Sequence, residues 1–377
     1  MGIGISIRSC SVMPPHALHG LVLLALVQPA LVLLRLVLRG LALPVVVGLS
    51  IVFPGLVSAH HSRAEYSGEP IEFQGSLVDI LWRNPHPAFT VEVNENGQSW
   101  IWQVEGWSSL YTFDRAGITE DRFAPGDTVR VYGLASNRRP GRFLATHMLL
   151  ADGTEAILRR EENPYWGGSQ RLGGQELWAI ETGARVVDAA AENRGISRVW
   201  SYPSPNVRTV QHLPLTAAAE AARAEWDPVD NYVMRCEQKT LPGSMLTPNP
   251  YEFIDNGDTI TIRGHEGDVV RTVHMQDARD PATQPYSLQG YSVGQWEDER
   301  TLVIHTSRIS AGYMGFTGIL LSDEVQVVER YTLSEDQTRL NFHVTTTAPQ
   351  TFTEPATAEY YWLALGESFG QYDCSVH

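Results

Sequence analysis

The chain has 377 residues, of which 43% are hydrophobic, and it contains 10 tryptophans. This composition allows two domains with substantial cores and argues against bulk disorder. The formal net charge of −15 argues against nucleic acid and against anionic membrane surfaces as partners, because both attract basic proteins. Lys239 is the only lysine, so Schiff-base and P-loop chemistry have almost no suitable side chain.

Residues 1–59 have the features of an export segment. Two apolar runs, 18–34 and 41–57, are separated by a short basic stretch, and small residues follow the second run. That layout predicts signal-peptide cleavage after Ala59, with His60 as the first residue of a periplasmic or secreted protein. The first run is explained either by a start codon further downstream, which we prefer, or by a membrane span of borderline length. With the downstream start, no stable membrane partner is expected after cleavage.

Residues 60–155 show short strand patterns separated by turns. A helix between the third and fourth strands is predicted from Ser108 as its cap and Gly117 as its end. Five strands with one interposed helix predict a small barrel of the oligonucleotide/oligosaccharide-binding type. The predicted strands span 71–82, 88–93, 99–105, 127–133 and 143–150.

Residues 156–205 are rich in glycine and are predicted to form a linker with some local structure. In the C-terminal domain, 206–377, a helix is predicted from a Thr216 cap to Trp226, and Asn256-Gly257 indicates a hairpin. The strand pattern predicts a larger antiparallel lipocalin-like barrel or sandwich, which could hold an apolar or aromatic ligand. The whole protein is therefore predicted to be mainly β. The predicted C-terminal strands span 251–255, 259–263, 269–275, 301–307, 324–333, 339–347 and 358–365.

The cysteines indicate the compartment as well. Cys10 lies in the segment expected to be removed, which leaves Cys236 and Cys374. An even number of cysteines in an exported protein favours a disulfide between them. The alternative is a pair of unpaired, buried thiols.

Several short motifs of the first block occur together in a known family. The first block, 59–155, resembles a bacterial exported family catalogued as domain of unknown function 6152, and this resemblance implies no established activity. The matching residues are Ala59-His60-His61-Ser62, Gly75, Trp82-Arg83-Asn84-Pro85-His86, Trp102-Gln103-Val104-Glu105, Pro125-Gly126-Asp127 and Asp152-Gly153.

The second block resembles a β-domain that recurs in uncharacterised envelope proteins. It departs from that pattern at Asp298-Glu299-Arg300 and at Ala348, so no site is carried over. The matching residues are Met234-Arg235-Cys236, Arg271-Thr272-Val273-His274-Met275, Gly290-Tyr291-Ser292-Val293-Gly294-Gln295-Trp296-Glu297, Val328-Glu329-Arg330 and Phe352-Thr353-Glu354-Pro355.

The mature N-terminus predicts a copper site. After cleavage, His60 offers its α-amine and its imidazole to one metal ion, and His61 and His86 could add further imidazoles, giving a nitrogen-rich set of the kind Cu(II) prefers. The arrangement is similar to the histidine brace of copper monooxygenases and periplasmic copper carriers. In the alternative interpretation, His60 and His61 belong to a frayed terminus and 84–87 is a plain turn.

Other candidate site residues are less sharply defined. Glu105 at a strand end either orients an imidazole of the copper site or lies in solvent. In the second block, Arg271 and Val273 are expected on one strand face, and His274 on the other. Arg271, His274, Trp296 and Glu297 are the candidate ligand-binding residues there.

Ser292 lies in a G-x-S-x-G motif, which forms a nucleophile elbow when a strand precedes it and a helix follows. No helix is predicted after it, so a turn or bulge is the preferred interpretation. These observations favour a binding or accessory protein of the cell envelope that binds copper and no other cofactor, with a small-molecule or envelope-protein partner of unknown identity. The alternative is an envelope enzyme, either a copper oxidoreductase or a serine hydrolase acting through Ser292.

Overall fold

The protein is mainly β, as predicted, and its described strands form two large sheets and one separate two-stranded sheet within one compact unit, Ala59–His377. The predictions for 1–59, His60 and His61 lie outside the described residues, and the predicted domain boundaries stay predictions. The computed structural model describes residues 65–159, 162–167, 170–174, 188, 189, 192, 194–203, 210–227, 231–364, 366 and 368–375.

The first sheet closes into the predicted five-stranded barrel. Its strand order is β3-β2-β1-β4-β5-β6-β7, and the end of β3 also pairs in parallel with the start of β5. The β2–β3 hairpin turns at Asn96 and Gly97, whose φ angles of 52° and 78° are tolerated well by Asn and Gly. The strands are β1 (Ile71–Leu81), β2 (Ala88–Glu95), β3 (Gln98–Glu105), β4 (Thr128–Ala135), β5 (Arg142–Leu149), β6 (Glu155–Ile157) and β7 (Arg171–Gly173).

Helix α1 (Leu110–Arg115) lies between β3 and β4, as predicted. Its N-cap is Ser109, one residue after the predicted cap. Gly117, two residues after the helix, has a φ of +71°, a left-handed conformation that glycine adopts at little cost. Thr112 and Phe113 are the buried side chains of α1, and the Phe113 ring packs into the barrel core.

The second sheet has ten strands in the order β8-β10-β11-β12-β13-β14-β17-β18-β19-β9. The sheet curls because Ser201, directly after β8, exchanges two backbone hydrogen bonds with Leu363 of β19, at 3.0 and 2.9 Å. β15 and β16 form a separate pair. The strands are β8 (Val199–Trp200), β9 (Val210–His212), β10 (Tyr251–Asp255), β11 (Thr259–Gly264), β12 (Val269–His274), β13 (Tyr291–Trp296), β14 (Thr301–Ser307), β15 (Gly312–Tyr313), β16 (Leu320–Leu321), β17 (Gln326–Leu333), β18 (Arg339–Thr347) and β19 (Ala356–Leu363).

Aromatic side chains pack tightly inside the second sheet. Trp362 lies with its ring centroid 5.2 Å from that of Tyr251, 5.1 Å from that of Phe342 and 4.7 Å from that of Tyr360. Such pairs stabilise a core beyond their buried area. Protein side chains therefore fill the interior around Trp362, and the apolar or aromatic ligand of this domain stays a prediction.

Helix α2 (Ala217–Glu225) precedes β10 and confirms the predicted helix. The Thr216 hydroxyl accepts a hydrogen bond from the Ala219 N–H at 3.2 Å and caps the first turn. None of the side chains of α2 is buried. Across the described ranges, no helix has the length and apolar character needed to span a membrane.

The predicted turn or bulge at 290–294 is wrong, because most of this segment forms β13. β13 pairs in parallel with β12 and antiparallel with β14. A Cβ atom on Gly294 would lie 2.6 Å from the Met275 sulfur, so this glycine permits close packing inside a strand rather than a turn.

Cys236 and Cys374 form a disulfide, as predicted, and close a sequence separation of 138 residues. Cys236 ends a 3-10 turn, Tyr232–Arg235, and Cys374 lies near the C-terminus. The disulfide therefore ties the C-terminal segment to the connection between α2 and β10.

Candidate functional site

His86 and Glu105 form a close pair at one end of the first barrel. The Nδ1 atom of His86 lies 2.6 Å from Oε1 of Glu105, and the two side chains are 17% and 11% exposed. The β2–β3 register places Ala88 opposite Glu105, which brings the segment before β2 to the end of β3. Glu105 thus faces an imidazole rather than solvent.

The chemistry of the pair assigns the two imidazole nitrogens of His86 different roles. An ionised carboxylate only accepts hydrogen bonds, so Nδ1 of His86 is the donor in this contact, and whenever the ring is neutral its lone pair lies on Nε2. A carboxylate behind a histidine fixes the ring orientation and raises its basicity, as at many metal-binding histidines. The arrangement suits a metal ligand.

Packing below the pair fixes its position. The Gly106 N–H donates to the Pro87 carbonyl at 2.9 Å. This bond joins the residue after Glu105 to the residue after His86. A Cβ atom on Gly106 would lie 2.9 Å from the Phe113 ring, so only glycine allows this approach. The Trp82 ring centroid lies 5.6 Å from that of Phe123, and Trp82 is thus part of the packing rather than an open stacking surface.

The chain enters the barrel beside this pair. Tyr66 is buried, and its burial together with the negative charges of Glu105 and Glu65 raises the pKa of its hydroxyl. Glu65 is fully buried and accepts hydrogen bonds from the Ser136 hydroxyl at 2.5 Å and from Arg139 Nε at 2.8 Å. The first described residues are therefore anchored close to Glu105.

The described residues do not complete a metal site by themselves. No group of three or more His, Cys, Asp or Glu side chains with metal-binding geometry occurs among them. His60 and His61, the other predicted ligands, lie outside the described part of the chain.

The four candidate ligand-binding residues of the second block occupy different surroundings. Arg271 is buried inside the sheet on the same face as Val273, the face that the sequence predicted. His274 stacks on Tyr291 with ring centroids 4.7 Å apart. Trp296 is 44% exposed, and the carboxylate of Glu297 pairs with Arg330 at the surface. The structure does not bring these side chains together.

Ser292 points into the second sheet. Its side chain is fully buried, and its hydroxyl lies 2.8 Å from that of Thr306 on β14. A nucleophile elbow requires an exposed serine at a strand-to-helix turn, and Ser292 lies within a strand. The geometry gives the hydrolase alternative no support.

A buried lysine is the polar group that sequence reasoning missed. Lys239 forms an ion pair with Glu266 and lies 3.7 Å from the centre of the Phe316 ring. Burial lowers the pKa of the Lys239 amine below its usual 10.5, and the Glu266 charge acts in the opposite direction. Tyr372 lines the small pocket beside this pair, whose volume of about 10 Å³ is at the lower limit for holding one water molecule. The only signal in the sequence was that the chain contains no other lysine.

His265 should make stability depend on pH. Its ring lies among Tyr111, Phe369 and Tyr372, with centroid distances of 5.5, 5.4 and 5.4 Å. Burial lowers the pKa of the His265 imidazole from 6.5 to about 4, although the negative charges of Asp268 and Glu266 oppose this shift. The unfolded chain therefore binds this proton more readily, and the free energy of unfolding falls as pH decreases from about 6.5 toward 4, by at most about 1.4 kcal/mol per pH unit.

Urea denaturation at several pH values between 7 and 4.5 measures this effect. In the H265Q variant, the part of the pH dependence due to His265 should disappear. H212Q changes a histidine that is 59% exposed, so it should retain the wild-type slope. Equal slopes in wild type and H265Q would contradict the assignment.

Residues 50–143 match the model of a family of unknown function (DUF6152). The match covers His60, His61, His86 and Glu105 together with β1–β4 and α1, and a further β-structured region follows it. None of the curated proteins matches the chain.

Proposed function

We propose that this protein is an exported binding or accessory protein of the cell envelope that binds copper at its mature N-terminus. The ligands are the α-amine and imidazole of His60 together with the imidazoles of His61 and His86. The observation that carries the proposal is the His86–Glu105 pair, with Nδ1 and Oε1 2.6 Å apart. A half-buried imidazole backed by a carboxylate is the expected form of a metal-binding histidine.

The donor chemistry suits Cu(II). His60 supplies two nitrogens from one residue, and histidines supply the rest, in keeping with the preference of Cu(II) for imidazole and amine nitrogen. All of these ligands must be unprotonated to bind. Glu105 holds the His86 proton on Nδ1 and directs Nε2 toward the metal.

Chain length allows the histidines to reach His86. His61 precedes Glu65 by four residues, and four residues of fully extended chain span at most about 14 Å. Glu65 and Tyr66 are anchored near Glu105, since both carboxylates act on the Tyr66 hydroxyl. In the proposed site, this short segment brings the new N-terminus to the His86–Glu105 pair.

Export is the second part of the proposal. It is supported by the signal-peptide layout of 41–59 and by the Cys236–Cys374 disulfide, because disulfides persist in oxidising compartments. Mass spectrometry of the protein recovered from the periplasm should give a mature chain that begins at His60.

Cu(II) titration of exported protein tests the site. H86A should weaken Cu(II) binding strongly, and E105Q should weaken it by roughly 10- to 100-fold, the usual effect of removing a carboxylate behind a metal-binding histidine. H212A, a change at an exposed histidine outside the matched region, should leave affinity unchanged. Wild-type affinity in both H86A and E105Q would end the copper proposal.

A further inference from the structure

The C-terminal strap, residues 368–375, lies between the first barrel and the second sheet. Its backbone forms a parallel bridge with Asn84, two residues before His86. The Asn84 N–H donates to the Asp373 carbonyl at 3.1 Å, and the Ser375 N–H donates to the Asn84 carbonyl at 3.0 Å. The Asn84 side-chain amide donates to the Tyr372 carbonyl at 2.5 Å.

The strap also forms part of the wall around the buried lysine. Tyr372 is buried, lines the Lys239–Glu266 pocket, and donates its N–H to Asp268 Oδ1 at 2.9 Å. The disulfide partner of the strap, Cys236, lines the same pocket. One covalent bond therefore fastens the segment that closes this pocket.

The disulfide itself is within reach of a reductant. Both Cys236 and Cys374 are partly exposed, unlike the fully buried side chains of the core. Cys236 has a φ of 60° at the end of its 3-10 turn, where its N–H donates to the Tyr232 and Val233 carbonyls.

We propose that the Cys236–Cys374 disulfide is a redox-controlled closure: its reduction releases the strap and opens the Lys239–Glu266 pocket to solvent. The reductant is a dithiol. One of its thiolates attacks a sulfur of the disulfide, forming a mixed disulfide and releasing one cysteine thiolate, and its second thiol then releases the other cysteine. Two electrons and two protons pass to Cys236 and Cys374, and the dithiol becomes a disulfide. This closure does not depend on copper binding.

Amine labelling measures the opening directly, because Lys239 is the only lysine. A succinimidyl ester is applied to the full-length mature protein with and without dithiothreitol, and modification is located by mass spectrometry. Reduction should accelerate Lys239 labelling by on the order of 100-fold, the factor by which one disulfide typically shifts the equilibrium between a closed and an opened chain. The α-amine serves as an internal reference whose labelling rate should not change.

Two variants and a second measurement separate strap release from unfolding. The C236S/C374S variant should label rapidly with or without dithiothreitol, and Y372A should label faster than wild type while oxidised. In the reduced protein, hydrogen exchange should increase at the strap amides of Tyr372 and Ser375 and stay slow across β18. An unlabelled Lys239 after reduction, or loss of protection in β18 together with the strap, would overturn the proposal.

Discussion

Replacing Glu329 by glutamine is expected to lower the free energy of unfolding by about 3–5 kcal/mol, because it leaves a buried guanidinium without its counter-charge. Glu329 accepts from Arg271 Nη1 at 2.5 Å and from Arg271 Nη2 at 3.1 Å, and the Tyr331 hydroxyl donates to it at 2.7 Å. Arg271 is 2% exposed, so water cannot replace the lost carboxylate. Urea denaturation at pH 7 measures the loss.

Two controls give this prediction its specificity. E297Q removes the carboxylate from a surface pair with Arg330, in which both side chains are at least 43% exposed, and it should cost less than about 1 kcal/mol. The double variant R271M/E329L replaces both charges by apolar groups and should recover much of the loss. A double variant as unstable as E329Q would contradict the account.

The N84A variant is expected to be the second most destabilised, by about 2–5 kcal/mol. The Asn84 side chain is 1% exposed, donates to the Tyr372 carbonyl and accepts from the Leu110 N–H at 3.0 Å, at the first residue of α1. Alanine leaves the buried Tyr372 carbonyl unpaired, at a cost of about 1–3 kcal/mol, and the partly buried Leu110 N–H unpaired, at a somewhat lower cost. Thermal and urea unfolding measure the change.

The matched control is N341A on β18. Asn341 also makes two side-chain hydrogen bonds, to the Thr332 carbonyl at 3.2 Å and from Arg339 Nε at 2.8 Å. It is only half-buried, so water can replace both bonds and the loss should be small. Equal losses in N84A and N341A would show that the position of Asn84 between the sheets adds nothing.

The fold could be predicted largely because its signals are local. The alternation of buried and half-buried side chains in β18 is complete from Leu340 to Thr346, and such alternation indicates a strand with one face in the core. Asn256-Gly257 marks the β10–β11 hairpin through the backbone conformations these residues favour. Thr216 marks the start of α2 through its side-chain oxygen.

The unpredicted features depend on partners far away in the sequence. Glu329, the ion-pair partner of Arg271, lies 58 residues from it in the sequence, and Tyr372, the backbone partner of Asn84, lies 288 residues away. Asn84 stood out only as part of a family motif, and the structure shows that it joins the strap to α1. β13 was missed because Gly290 and Gly294 suggest a turn, whereas Gly294 permits close packing against Val273 of β12 and Gly290 permits close packing against β14.

At the candidate site, the sequence singled out His86 and Glu105 and left open whether Glu105 orients an imidazole or lies in solvent. Their contact follows from the β2–β3 register, which places Ala88 opposite Glu105. Residue spacing alone does not determine this register. A register shifted by one residue would turn Glu105 to the other face of the sheet. Identifying the His86–Glu105 contact therefore required both the sequence motif and the strand pairing seen in the structure.

The most direct test of the central claim compares the Cu(II) affinity of mature protein that begins at His60 with that of protein carrying one extra residue before it. The extra residue removes the α-amine chelate of His60 but keeps every side chain. We predict one tightly bound copper per chain in the first protein and a loss of affinity of at least roughly tenfold in the second. Equal affinity in the two proteins would contradict the claim that the N-terminal histidine forms the site.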